Sequence, residues 1–245
     1  MGEMDTTRRR ARLRFAAAVA LAGAALGLFV LAPSSATPQD QIVVRGAASG
    51  STLQLSVTGR TLQVKGLMAS SGGSGCRIDR HRFRASCPLR GVGSIVVRMG
   101  PAGDLVEVRD ELPVPLFAYL GDGSDKFIGN AEPDVCYSQG ARRNRCVGNG
   151  GDDICITGQR NSDCVGGPGD DYCKTGAGSD GCWGGPGRDI CLMGPGQDGC
   201  HGEGGRDFLY GGAQPDRLYG GRGFDRCDGG PGWGKSQTCE AGPRR

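Results

Sequence analysis

The sequence predicts an all-β protein whose C-terminal half is a solenoid of stacked nine-residue repeats. Three observations carry that expectation. Glycine supplies 47 of 245 residues and aromatic residues only 6%, too few large apolar side chains for a conventional core. Such a composition on its own reads as disorder, but here the glycines recur at a fixed interval, which a linker has no reason to keep. Most of the 12 cysteines fall on the same interval.

The chain opens on Arg8, Arg9, Arg10, Arg12 and Arg14, followed by an apolar run from Phe15 to Ala32 and the small residues Ser34-Ser35-Ala36. That order predicts an export signal over 1–36, cut after Ala36. The apolar run is also close to the ~20 residues an uncleaved anchor needs, and the small-residue site favours cleavage. The whole chain holds 29 basic and 26 acidic residues, and loss of five Arg with Glu3 and Asp5 leaves 24 of each. A balanced mature chain gives no reason to expect nucleic acid as a partner, and no membrane span remains once the signal is gone. An even cysteine count in an exported chain predicts disulfides. Zinc sites use Cys pairs two to four residues apart, a spacing the repeated interval of nine does not match.

Residues 37–118 read as a β-rich N-terminal region that caps or leads into the solenoid. Short β-branched or alternating runs at Ile42 to Arg45, Thr52 to Val57, Thr61 to Lys65, Ser94 to Arg98 and Leu105 to Val108 predict strands. Ser70 to Gly75 reads as a turn or short linker, and Cys76 and Cys87 as a bridge across it. Arg80, Arg82 and Arg84 alternate as one face of a strand, a solvated face or a contact for anionic wall polymer or lipid headgroups. Gly100 to Val106 reads as a degenerate repeat leading in.

From Leu120 one pattern takes over. Polar positions recur at Asp125, Asp134, Asn144, Asp153, Ser162, Asp171, Asp180, Asp189, Asp198, Asp207, Asp216 and Asp225. Two residues after each come Phe127, Cys136, Cys146, Cys155, Cys164, Cys173, Cys182, Cys191, Cys200, Leu209, Leu218 and Cys227. Every step is nine residues except one of ten, between Asp134 and Asn144. Glycines precede the acid, most cleanly in Gly166-Gly167-Pro168-Gly169, Gly184-Gly185-Pro186-Gly187 and Gly220-Gly221-Arg222-Gly223. Glycine tolerates positive φ and close backbone approach, so such a turn can fold its carbonyls toward one point. The Asp adds a hard anionic oxygen, and the triplet after it is a short strand with its middle side chain inward. Calcium takes six to eight oxygen ligands; one turn cannot supply them, but two stacked turns can.

This pattern resembles the Gly-Gly-x-Gly-x-Asp-x-U-x nonapeptide of the repeats-in-toxin (RTX), or haemolysin-type calcium-binding, family, over residues 120–229 and as a Cys-rich secreted variant. U there is a large apolar residue, whereas here it is Cys in nine repeats. The resemblance implies a parallel β-roll, two repeats per 18-residue coil, with Ca2+ ions held at each edge. The implied ligands are Asp125, Asp134, Asp153, Asp171, Asp180, Asp189, Asp198, Asp207, Asp216 and Asp225. Backbone carbonyls of Gly166, Gly167, Gly169, Gly184, Gly185, Gly187, Gly220, Gly221 and Gly223 complete the set.

Alternate repeats share an edge. One edge, Asp134 through Asp225, is all Asp, while the other is interrupted by Asn144 and Ser162. The turns Gly140-Ala141-Arg142-Arg143 and Gly158-Gln159-Arg160-Asn161 have gained Arg, so a guanidinium is expected to stand where a cation would. The ladder cysteines, Cys136 through Cys200, point inward and number eight, enough for four bridges, with cross-core pairs nine apart preferred over stacked pairs eighteen apart. Cys227 is expected to bridge Cys239, and Trp233 to help close the open end, since solenoids need atypical terminal units. The chain thus divides into signal peptide 1–36, β-rich cap or lead-in 37–118, calcium-binding repeats 119–234 and C-terminal cap and tail 235–245.

Only His81 and His201 could serve a Ser/His/Asp or Cys/His site, and no Gly-x-Ser-x-Gly or His-Glu-x-x-His accompanies them. The sequence therefore points to a secreted or cell-surface structural, adhesion or binding module rather than an enzyme. Its expected partners are calcium and anionic cell-wall or surface polymers. The competing class is a hydrolase with its site in 37–118 and the repeats as a stabilising appendage. N-terminal sequencing of the exported protein should begin at Thr37; an intact Met1 start in the membrane fraction would identify an anchor instead.

Overall fold

The computed structural model describes residues 41–66, 68–72, 75–138, 140, 142–231, 235–237 and 239; the expected export signal and Trp233 lie outside the described residues. Nine strands precede the repeats: β1 (Gln41–Gly46), β2 (Thr52–Thr58), β3 (Thr61–Gly66), β4 (Met68–Gly72), β5 (Arg77–Asp79), β6 (Arg84–Pro88), β7 (Ser94–Arg98), β8 (Leu105–Val108) and β9 (Leu116–Tyr119). Each repeat then contributes one strand: β10 (Lys126–Ile128), β11 (Asp134–Ser138), β12 (Arg145–Val147), β13 (Ile154–Thr157), β14 (Asp163–Val165), β15 (Tyr172–Lys174), β16 (Gly181–Gly187), β17 (Ile190–Leu192), β18 (Gly199–Gly205), β19 (Phe208–Tyr210), β20 (Arg217–Gly223) and β21 (Arg226–Asp228). A last strand, β22 (Lys235–Gln237), pairs with β20. Among the described residues no helix is long and apolar enough to cross a membrane.

The strands form two parallel-stacked sheets, as the nine-residue period predicts. Sheet I runs β21-β19-β17-β15-β13-β11-β9-β7-β1-β4, and sheet II runs β22-β20-β18-β16-β14-β12-β10-β8-β2-β3-β6-β5. Inward positions are in register from coil to coil. Cys136 pairs with Cys155, then Cys173 and Cys191 in sheet I, and Phe127 leads to Cys146, Cys164, Cys182 and Cys200 in sheet II. The one ten-residue step is absorbed between β11 and β12 without disturbing that register. Glycine is favoured where coils touch. Gly185 has φ +120°, and a Cβ there would sit 2.7 Å from the carbonyl carbon of Gly167 one coil earlier.

The N-terminal region joins the same stack. β1 and β7 pair parallel below β9, and β2 and β8 below β10. The antiparallel strands β3, β6 and β5 extend sheet II, and β4 extends sheet I. Two expectations need correction here. Much of the Ser70–Gly75 turn is strand, because Ser70, Ser71 and Gly72 pair with Arg45, Val44 and Val43 at the edge β1 leaves open. The arginine stripe is not a strand face: Arg80 to Phe83 make the β5–β6 turn, where Asp79 Oδ1 accepts the N–H groups of His81 and Arg82, both at 3.1 Å. An Asx-turn of this kind outcompetes a short alternating run.

The core changes character along the axis. The first coils bury Ile42, Val44, Leu53, Leu55, Leu62, Val64, Ile95 and Val97 at 0–1% exposure, each stabilising by about 1.5–3 kcal/mol. In the repeats the core narrows, and facing Cα atoms lie 6.2 Å apart at Cys136–Cys146 and 6.5 Å at Cys182–Cys191. Packed sheets usually stand ~10 Å apart, so little larger than Cys fits between them here.

Bridges join Cys76–Cys87, Cys136–Cys146, Cys182–Cys191 and Cys227–Cys239. Cys164 lies within bonding reach of both Cys155 and Cys173, and one sulfur makes one bridge, so one of the outer two remains a thiol. Four bridges from the eight ladder cysteines are therefore not formed. Cys200 is a buried free thiol, because Cys191 is already bridged to Cys182 and the next inward position is Leu209. Burial, with the carboxylates of Asp207, Asp189 and Asp198 nearby, pushes its pKa up and keeps it protonated. Native protein should thus resist alkylation, and unfolding without reductant should release two thiols, Cys200 and one of Cys155 or Cys173. Mass mapping that found Cys200 bridged would contradict this pairing.

Candidate metal edges

Each turn delivers its polar residue just before a strand, so stacking gathers these residues into two files, one along each edge. On the first edge the backbone N–H of Asp134 donates to Oδ1 of Asp153, Asp153 to Asp171, Asp171 to Asp189, Asp189 to Asp207 and Asp207 to Asp225, at 2.7–2.9 Å. On the second, Ser51 donates to Asp104, Asp104 to Asp125, and Asp125 to Asn144, at 2.6–3.0 Å. The file continues from Ser162 to Asp180, Asp198 and Asp216, at 2.7–3.0 Å. All of these side chains except Ser51, at 6%, are 0–5% exposed.

One carboxylate oxygen therefore clamps neighbouring coils, and the other is left over. Oδ2 of Asp153, Asp171, Asp189, Asp198 and Asp216 is buried without a hydrogen-bond partner. Asp104, Asp180 and Asp207 differ in having a polar neighbour near the carboxylate, the Gly100 N–H, the Thr175 hydroxyl and the Asp225 carboxyl respectively. Glycine makes room for the spare oxygen. A Cβ on Gly184 would collide with the Asp189 carboxylate, and one on Gly166 would meet the Asp171 carboxylate and lie 2.7 Å from the Gly184 carbonyl oxygen. Carboxylate and carbonyl oxygens thus converge beside the first glycine of the turn.

A buried ionised carboxylate lacking a partner is costly, so the pKa values rise. Desolvation lifts Asp153 to about 10, Asp189 to about 8, and Asp125, Asp134, Asp171 and Asp198 to about 7. Asp180 and Asp207 reach about 6 from the same cause. Two responses relieve such a carboxylate, a proton or a cation. The donor set, hard carboxylate and carbonyl oxygens, fits calcium.

The expected ligands are not equivalent. Asp125 Oδ2 accepts the Ser138 hydroxyl at 3.1 Å, and Asp134 Oδ2 accepts the Asn130 N–H at 2.9 Å. Those two carboxylates already have donors. At the interruption, Asn144 Oδ1 accepts the Asp125 N–H at 2.9 Å, and its buried Nδ2 is a donor with no partner, hostile to a cation. The guanidinium expected there is elsewhere: Arg142, Arg143 and Arg160 are exposed, and Arg143 pairs with Asp163 at 2.9 Å. A neutral amide and hydroxyl fill the seat instead, because a buried guanidinium would cost more. The named turn glycines, Gly166 through Gly223, all belong to the first edge. Asn149 and Glu203 hold the second-glycine position there with φ +83° and +75°.

Sequence reasoning did not assign Asp104 to a site, although it is 4% exposed and continues the second edge. Gly103-Asp104-Leu105-Val106 carried the signal, hidden by a 21-residue step to Asp125. The two histidines stand apart, His81 in the exposed β5–β6 turn and His201 on the outer face of sheet II between Trp183 and Tyr219.

Residues 165–198 and 201–232 match the family model described as the RTX calcium-binding nonapeptide repeat (4 copies). No curated protein and no solved structure matches the chain. The matched span contains every Asp from Asp171 to Asp225 in the two files.

The raised pKa values set a direction. A carboxyl whose folded pKa lies above its ordinary value of 3.8 stabilises the fold at acid pH, and that contribution is lost as pH rises through about 6 and then about 8. Without calcium, the melting temperature should fall between about pH 5 and about pH 8. A thermal melt in chelator that rose over this window would refute the assignment.

Proposed function

We propose, from the premise that this chain carries RTX calcium-binding nonapeptide repeats, that it is a calcium-loaded, secreted structural or adhesion module rather than an enzyme. The observation that carries the reading is the file of buried Oδ2 atoms without donors at Asp153, Asp171, Asp189, Asp198 and Asp216. Calcium bound there would supply the charge that lets these carboxylates ionise. The chain's own part is to present them. Oδ1 locks each coil to the one before, the glycines hold carbonyls beside Oδ2, and the strand after each Asp fixes its position.

Neighbouring acids along an edge then make shared sites. The first edge offers 134/153, 153/171, 171/189, 189/207 and 207/225, the first of them weakened because Asp134 Oδ2 already has the Asn130 N–H. The second edge offers 180/198 and 198/216. Disulfides within the stack support an extracellular setting, and residues 1–36 support export. The exposed β5–β6 turn, with Arg80, Arg82 and Phe83, is the surface proposed for anionic wall polymer.

Calorimetric titration tests the two-edge reading. Asp189→Ala removes a ligand of two sites and a buried acceptor, so it should lower calcium stoichiometry and cost about 1–3 kcal/mol of stability. Asp189→Asn keeps the Oδ1 acceptor, so it should lose calcium while melting no lower in chelator. Ser162→Ala should leave stoichiometry unchanged, and equal losses from Asp189→Ala and Ser162→Ala would defeat the reading.

A further inference from the structure

The outer face of sheet I breaks the alternation expected of a sheet with one solvated side. Its register stacks two outward rows over nine rungs, from Val43 and Arg45 at one end to Arg226 and Asp228 at the other. The first row runs from Val43 to Phe208 with no charged residue, through Phe117, Ile154, Tyr172 and Ile190. The second holds Tyr119, Tyr137, Ile156, Leu192 and Tyr210, interrupted by Lys174 alone. Parallel strands that are apolar on both faces are those covered on both faces. Sheet II differs in one row only: the row matching the first holds Lys126, Arg145, Asp163, Gly181, Gly199 and Arg217, while its other row runs Ile128, Val147, Val165, Trp183, His201 and Tyr219.

Nothing among the described residues covers sheet I from outside, since its strands pair within the sheet and meet sheet II across the core. Val96, Val135 and Ile156 are closed off by their neighbours at 4–8% exposure, and the larger side chains are half-buried. The rows are continuous, and their charges sit at particular rungs.

We propose that this face pairs with a second copy of the chain, antiparallel, about a two-fold axis along the central rung of Ile154 and Ile156. The charges select that arrangement. The face has one acid, Asp228, at the end opposite Arg45, so reversing one copy sets Arg45 against Asp228 twice. It also sets Lys174 against Tyr137 and Arg98 against Tyr210, cation on aromatic ring, as Arg98 already lies over Tyr119 at 4.7 Å within the chain. A parallel pairing, which sets each row against the other, would leave Arg45 and Arg98 facing Val43 and Val96 with neither an acid nor a ring. At ~4.8 Å per rung the strip is about 40 Å long and ~10 Å wide. That flat area is roughly half of the ~800 Å2 each partner contributes to a standard interface, and side-chain relief and flanking turns add to it. Association is therefore concentration-dependent rather than obligate, and independent of whether the edges hold calcium ligands.

Sedimentation equilibrium of the full mature chain tests this. Wild type should show a reversible monomer–dimer equilibrium. Ile154→Lys, placing two like charges on the axis, should leave a monomer with unchanged circular dichroism, while Val165→Lys on sheet II should dimerise as wild type does. Arg45→Asp should weaken the dimer about tenfold, and adding Asp228→Arg should restore it. Asp228 also accepts the Gly230 N–H at 3.0 Å, so circular dichroism must confirm that the double variant is folded. A wild type monomeric at every concentration, or a dimer indifferent to Ile154→Lys, would overturn the pairing. Failure of the folded double variant to recover would overturn its antiparallel register. Monomeric wild type binding anionic vesicles through Ile154 would assign the face to a membrane and overturn it equally.

Discussion

The fold depends on one short hydrogen bond, from the backbone N–H of a ladder residue to the side-chain oxygen of the residue in the same place one coil on. At 2.6–3.0 Å it leaves no slack, so successive coils must return to the same point; coils of 53, 21 and 19 residues do so near the N-terminal end, and 18-residue coils do so from Asp153 onward. This accounts for the strict spacing. The extra residue before Asn144 lies between β11 and β12 and leaves the Asp125–Asn144 bond intact. It also accounts for the glycines, since coils held this close put carbonyl oxygens where a Cβ would stand.

Close coils impose a thin core. With facing Cα atoms about 6 Å apart, each rung has room for one small side chain from each sheet, and Cys is the small side chain that can also cross-link. A buried Cys contributes less hydrophobic burial than Leu, and a bridge offsets the difference by restricting the unfolded chain, typically by about 2–4 kcal/mol. At the two ends of the ladder the cysteines give way to larger side chains, to Phe127 at the N-terminal side and to Leu209 and Leu218 at the other.

The repeats were legible because a period is a property of sequence alone: β10 to β21 fall one per nonapeptide, with the inward residue as read. What escaped were features set by neighbours distant in sequence. β4 exists because β1 leaves a free edge, and Ser70 to Gly72 carry no strand signal of their own. Arg80 to Arg84 alternate, but the Asp79 carboxylate turns the chain there. Asp104 was obscured by a long coil, and the pairing of Cys200 by a zigzag in which each sulfur has two neighbours nine residues away. The difference between Asp125 and Asp189, the same residue in the same motif, came from Ser138, a hydroxyl on the opposite sheet.

These differences are ordered along the axis. At the N-terminal end protein groups serve the carboxylates: Asp104 clamps Ser51, Ser138 serves Asp125, Asn130 serves Asp134, and Asn144 is uncharged. The coils there rest on Leu, Ile and Val side chains. At Asp153, Asp171, Asp189, Asp198 and Asp216 the second carboxylate oxygen has no such donor, the inward positions from Cys136 to Cys200 are cysteines, and the family match begins at residue 165. In a stack whose units touch only their neighbours, stability passes from coil to coil. The apolar N-terminal coils can therefore form without an ion and offer the first finished edge. On the proposed reading, each later coil completes its clamp as a cation takes up the charge its Asp brings. The interruption at Asn144 and Ser162 marks the boundary on the second edge between coils that carry their own partners and coils that must find one.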